Sequence, residues 1–237
     1  MPLSWSKFAK IVGVITFISA GFLAYGDGVL FEQIYISLLV FLAVIFIKDV
    51  NVLGVIVITL IANLCFMFLF PLVLEAEFQV LLKLLTYSAI ITTLYKLRTE
   101  EYRVAIAFII GLCGLAELYW FATDYPAPLI YWHVMLINIA VLVRHFLFQR
   151  FFIMSKYCPK HYRSLDLDYS LHKLNWYYIV VHFAVLLEFF VRHILGFREI
   201  TFIHQFNPYV FHAITTYSAL LIIIQGYSLI RYEWFKT

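Results

Sequence analysis

The stretch VLGVIVITLIANLCFMFLFPLVL, residues 52–74, decides the fold. It carries no charged side chain, and it is long enough to cross a bilayer, which takes roughly 20 mostly apolar residues in helical form. A barrel strand is about half that length and alternates in polarity, which this stretch does not. Only helices and closed barrels satisfy the backbone in lipid, so it reads as a transmembrane helix. Its β-branched and aromatic residues would favour a strand in water. In hydrocarbon an unsatisfied peptide group costs several kcal/mol, against a propensity spread under about 1 kcal/mol per residue, and the helix wins.

Working outward, seven further stretches read the same way: 8–25, 30–47, 78–95, 104–121, 129–148, 176–195 and 208–230. The expected fold class is therefore all-α, a polytopic bundle of eight transmembrane helices forming one integral-membrane domain over residues 1–237. The chain is 64% hydrophobic and 13% charged, where a soluble domain carries about 25% charged residues. Its mean hydropathy is +0.92. No room is left for a separate water-soluble core. Lys7 and Lys10 ahead of an apolar run imitate a signal peptide, but further spans follow at once and no Ala-x-Ala site appears, so the run reads as a retained first helix.

Lysine and arginine set the sidedness. With the N-terminus inside, the inner segments hold Lys7, Lys10, Lys48, Lys96, Arg98, Arg103, the cluster from Arg144 to Lys173, Arg231 and Lys236. The outer segments hold Arg198, with Arg192 at a helix end, and are otherwise acidic or neutral. Both termini are then cytoplasmic, which demands an even number of spans. Trp5, Trp176 and Trp234 fall at the inner interface; Trp120, Trp132, Tyr119, Tyr125 and Tyr131 fall at the outer one, as aromatic belts do. The inside-positive bias and compact spans suit a bacterial inner membrane. A formal charge of +3 argues for no nucleic-acid partner. Cys65, Cys113 and Cys158 give no disulfide framework. The match between Thr86-Tyr-Ser-Ala89 and Thr216-Tyr-Ser-Ala219 is no more than chance gives at this composition, and no Gly-x-x-x-Gly stands inside a span.

Ionisable groups inside spans cost roughly 2.5–3.5 kcal/mol each at mid-bilayer, so each needs a reason, structural or functional. Counting along each helix from its outer end places Lys83, Glu117, His133, Glu188, Arg192, His193 and His212 in the outer half, with Asn138 near the middle, His182 in the inner half and His145 at the inner edge. The expectation is an outward-facing polar ligand pocket built from Lys83, Glu117, His133, Asn138, Glu188, Arg192, His193 and His212. Plainer readings stand beside it. Glu188 and Arg192, spaced i,i+4, neutralise each other. Glu117 snorkels outward beside Tyr119 and Trp120, is protonated, or meets Lys83, His133 or His212 from another helix, and Lys83 snorkels too.

Imidazole and carboxylate suit zinc, iron or manganese, so His133, His193 and His212 with Glu117 or Glu188 form one candidate metal set, although no His-x-x-x-His or Glu-x-x-His motif backs it. A second alternative is b-type haem between the sixth and seventh spans, His133 facing His193 and His145 facing His182 as axial ligands. His182 and His193 are three turns apart on nearly one face, but His133 and His145 diverge by about 120°. The long connection, residues 149–175, reads as cytoplasmic and basic. It rests on anionic headgroups, or docks a cytosolic or membrane partner through Lys156–Lys173; Cys158 and His161 within it lack a second ligand pair.

No nucleotide-binding or hydrolase motif is present, and no nucleophile–base pair is visible. The expected function is a small permease or ligand-binding membrane subunit for a cation, metal ion or small polar solute, not an enzyme. The alternatives are a haem-bearing electron carrier and a structural, partner-binding or pore-forming subunit, homo-oligomeric in the last case.

Overall fold

The computed structural model describes residues 27–98, 100–126, 129–158 and 163–234, together with Ser19 and Ala24. The first expected span thus lies almost wholly outside the described residues, as do Trp5, Lys7, Lys10, His161 and Lys236.

Among the described residues there are seven α-helices and no strand. They are α1 (Gly28–Ile45), α2 (Val50–Leu74), α3 (Gln79–Lys96), α4 (Arg103–Ala122), α5 (Ile130–Tyr157), α6 (Asp166–His193) and α7 (Phe202–Trp234), with a 3₁₀ turn at Ala76–Phe78. All but α3 are long and apolar enough to cross a membrane, six in all. The chain is an integral membrane protein, a multi-pass helical bundle. In α3, Lys83 and Lys96 dilute the apolar run below that standard.

Residues that read as loops turn out to be caps. Asp27 Oδ1 accepts from the amides of Val29 and Leu30 at 3.1 and 3.0 Å, closing the start of α1. Asp49 Oδ1 does the same for α2, from Asn51 and Val52 at 3.0 and 3.2 Å. Each satisfies two of the four orphan amides of a first turn. Three ends differ from the sequence reading. α5 continues to Tyr157 and α6 resumes at Asp166, so helix covers much of the stretch 149–175. α7 starts at Phe202, ahead of Pro208, which therefore sits inside the helix.

The chain divides into two compact units, Met1–Met67 with Phe146–Leu174 and Pro208–Thr237, and Phe68–His145 with Asn175–Asn207. In the first, α1 buries Phe31, Tyr35, Leu39 and Leu42, the i, i+4, i+8, i+11 stripe of one helix face. Tyr35 Oη and Ser218 Oγ share a buried hydrogen bond of 2.9 Å. A Cβ at Gly226 would stand 2.8 Å from Phe46 Cζ, so any larger residue there would force the Phe46 ring to shift where α7 approaches the end of α1. In the second unit one apolar core joins Ile90, Ile106, Ile110, Trp120, Val134, Ile137, Val185 and Leu186. α5 is its axis: every residue from Ile130 to Asn138 is buried.

Candidate functional site

The polar groups of the second unit gather in three places. The first is between α3 and α4, which run antiparallel across the short connection 97–102. Lys83 Nζ donates to Glu117 Oε2 at 2.6 Å, an ion pair whose side chains are 30% and 11% exposed. Neither residue has a local partner on its own helix, so each answers the other's insertion cost. Lys83 Nζ also stands 5.5 Å from the centre of the Tyr131 ring, within cation–π reach. Tyr131 in turn donates from Oη to the Val73 carbonyl at 3.1 Å.

The ion pair lines a groove of about 1130 Å³. It runs along both helices, from Tyr95 and Arg103 at one end to Val80 and Tyr125 at the other. Its walls are apolar, and Leu84, Leu115 and Phe121 on them are strongly exposed, so the groove is open-sided. Gly111 and Gly114 leave it wide: a Cβ at either would meet nothing within 4 Å. Three polar atoms on groove-lining residues are buried without a hydrogen-bond partner among the described residues: Glu117 Oε1, Tyr87 Oη and Trp120 Nε1.

The second place is the core itself. His133 Nδ1 and His182 Nδ1 stand 3.0 Å apart, and both residues are buried. One ring must donate and the other accept, so the pair shares a single proton at this contact. Tyr178 meets His182 edge-on at 4.7 Å between centroids, and Phe189 flanks His133 at 5.5 Å. His182, placed in the inner half by counting, is therefore level with His133. The expected facing of His133 with His193 does not occur. About 16 Å of helix separate His193 from His182, and His193 Nδ1 instead bonds Tyr125 Oη at 3.1 Å. At 3.0 Å the two Nδ1 atoms of His133 and His182 stand at hydrogen-bond distance. Among the described residues, no three His, Cys, Asp or Glu side chains converge as a metal ion requires.

The third place is the start of α7. Glu188 accepts from the amides of Ile203 (Oε2, 2.6 Å) and His204 (Oε1, 3.1 Å). A carboxylate reaching from α6 thus caps α7, which explains why that helix begins ahead of Pro208. The expected i,i+4 pairing with Arg192 is replaced by this cap, and Arg192 Nε is buried without a hydrogen-bond partner among the described residues. Asn138, also buried in α5, keeps its Oδ1 without one.

His212 lies in the other unit, where its ring stacks on Phe31 at 4.1 Å between centroids. That unit holds a cluster the sequence reading did not single out. Arg150 is 3% exposed. Its Nε donates to Asp168 Oδ1 at 2.7 Å and its Nη2 to Asp168 Oδ2, a forked pair. Arg150 Nη1 donates to Asn51 Oδ1 at 3.2 Å, and Nη2 to the Arg163 carbonyl at 2.9 Å. Arg163 donates from its amide to Asn51 Oδ1 at 3.0 Å and from Nη2 to Asp49 Oδ2 at 2.7 Å. Two arginines and two aspartates balance, and they brace the start of α2, the end of α5 and the start of α6. In the second unit Arg144 Nη2 and Glu100 Oε1 make a comparable pair at 3.0 Å. No motif marks these residues; the only sequence signal was charge next to a span.

Compared with known proteins, the chain matches no family model, no curated protein and no solved structure.

Proposed function

We propose that this chain is a ligand-binding multi-pass membrane protein, of the small-permease or membrane-subunit kind, that takes its ligand at the α3–α4 groove. The observation that carries the reading is the Lys83–Glu117 ion pair set in the wall of that groove, with Glu117 Oε1, Tyr87 Oη and Trp120 Nε1 without partners among the described residues. Buried polar atoms are nearly always satisfied in a folded protein. A ligand that supplies the missing bonds gives these three a role in common.

The wider frame is eight crossings with both termini in the cytoplasm, in a bacterial inner membrane. Pairing with Glu117 offsets the charge of Lys83, which supports α3 as a crossing despite its lower apolarity. The excess of lysine and arginine in alternate connections supports the sidedness. The haem alternative draws less support, because His133 and His182 bond one another. A metal ion held by His133, His193 and His212 draws none from the described geometry.

Native mass spectrometry of the protein released from lipid nanodiscs tests the reading. Wild type should carry a bound small molecule. The double variant Gly111→Leu, Gly114→Leu, whose new side chains enter open space, should lose it while keeping its melting temperature. A wild-type protein without adduct, or an adduct indifferent to the filled groove, would sink the proposal.

A further inference from the structure

We infer that the groove ligand is a single-chain membrane amphiphile with an uncharged, hydroxyl-bearing head, seated with that head at Lys83–Glu117 and its chain along Gly114, Gly111 and Ala107. The inference rests on the groove being a ligand site, as proposed above, and adds the class of ligand.

Three features of the groove fix that class. The first is charge. Lys83 and Glu117 already neutralise each other at 2.6 Å. A charged head placed beside them would lose its hydration and gain no free counter-charge, which is costly away from water. An uncharged head avoids that loss.

The second is hydrogen-bond polarity. Among the described residues, Glu117 Oε1 is an enclosed acceptor without a donor, and Trp120 Nε1 is an enclosed donor without an acceptor. Lys83 Nζ has two further hydrogens beyond the one that Glu117 Oε2 accepts. A hydroxyl is both donor and acceptor, so one group answers both sides: its oxygen accepts from Lys83, whose side chain is 30% exposed, and its proton goes to Glu117 Oε1 once the carboxylate turns toward it. Tyr87 Oη, four residues along α3 from Lys83, stands ready for a second hydroxyl of the same head.

The third is shape. From Glu117 to Ala107 the groove follows about 15 Å of helix, and beyond the ion pair this length is walled by apolar side chains such as Ile91, Leu94 and Ile110. At Gly111 and Gly114 a Cβ would meet nothing within 4 Å, so the groove is open there. The open side admits a ligand that already resides in the bilayer.

Photolabelling in nanodiscs tests the inference. Three probes carry the same diazirine-bearing acyl chain: a monoacylglycerol, a fatty acid and an alkylamine. The monoacylglycerol should label peptides of α3 and α4 about ten-fold more than either charged probe, the worth of one hydrogen bond to a charged group. Labelling should collapse in the Gly111→Leu, Gly114→Leu variant. Glu117→Gln leaves Lys83 with an uncompensated charge, so preference should swing to the fatty acid; Lys83→Met should swing it to the alkylamine. If a charged probe labels wild-type α3 and α4 best, and the filled groove abolishes it, the headgroup assignment fails while the ligand site stands. If no probe labels these helices, or labelling ignores the leucines, the site itself fails. Crosslinks joining two copies through this groove would show a helix of a second chain in the ligand's place and overturn the inference.

Discussion

At the scale of single residues, Arg150 is held by a forked bond to Asp168, one to Asn51 and one to the Arg163 carbonyl. Removing it leaves Asp168 without its forked donor and takes from Asn51 Oδ1 one of its two donors, the Arg163 amide being the other, so Arg150→Ala should destabilise the protein by about 3–5 kcal/mol. Arg150→Lys should recover little, because an ammonium cannot span both carboxylate oxygens and the amide oxygen as a planar fork does. Denaturation of the purified variants in detergent decides both, and a lysine variant as stable as wild type would show that charge alone suffices. The sequence led us to read these residues as part of a basic segment lying on headgroups. Their partners Asp49 and Asn51 are far away in the chain, and no periodicity joins such distant positions. By contrast, an ionisable group inside an apolar run declares itself, and Lys83, Glu117, His133, His182 and Glu188 were all singled out that way. Their partners were harder: Glu117 with Lys83 was among the pairings weighed, whereas His133 with His182 depends on helix register, which composition does not encode.

At the scale of elements, the ends of helices separate what hydropathy reads from what a helix is. A hydropathy run reports the part of a helix matched to lipid, and it stops where charge begins. α5 goes on through Arg150 to Tyr157 because Asp168 and Asn51 answer the arginine, and α6 starts at Asp166 for the same reason. α7 begins six residues before Pro208 because Glu188 caps it from α6. Glu188→Gln keeps one acceptor oxygen but replaces the other with a donor facing an amide. The first turn of α7 should loosen by about 1 kcal/mol, within the range for loss of a cap. Hydrogen exchange at Ile203 and His204 should then accelerate about five-fold. Exchange at wild-type rates would mean that the turn holds itself.

At the scale of the whole molecule, the class was legible and the arrangement was not. Residues 52–74 and their six described counterparts are all helical, as the cost of bare backbone in lipid demands, although α5, α6 and α7 run well past the spans expected for them. Which helices touch is set by side-chain fit: Gly226 against Phe46, or the glycines that open α4, are single positions without a pattern. Topology remains the strongest claim from charge. Reporter fusions should place both ends in the cytoplasm, with residues 75–78 and 196–201 on the opposite face; ends on different faces would undo the count of crossings. The brace around Arg150 also sets a delay on biosynthesis. Arg150 follows Asn51 by 99 residues, which at a ribosomal pace of about 5–20 residues per second is roughly 5–20 s. Through that interval Asp49 and Asn51 lack the arginines that pair with them, so a chain arrested part-way exposes carboxylate and amide groups that the finished protein buries.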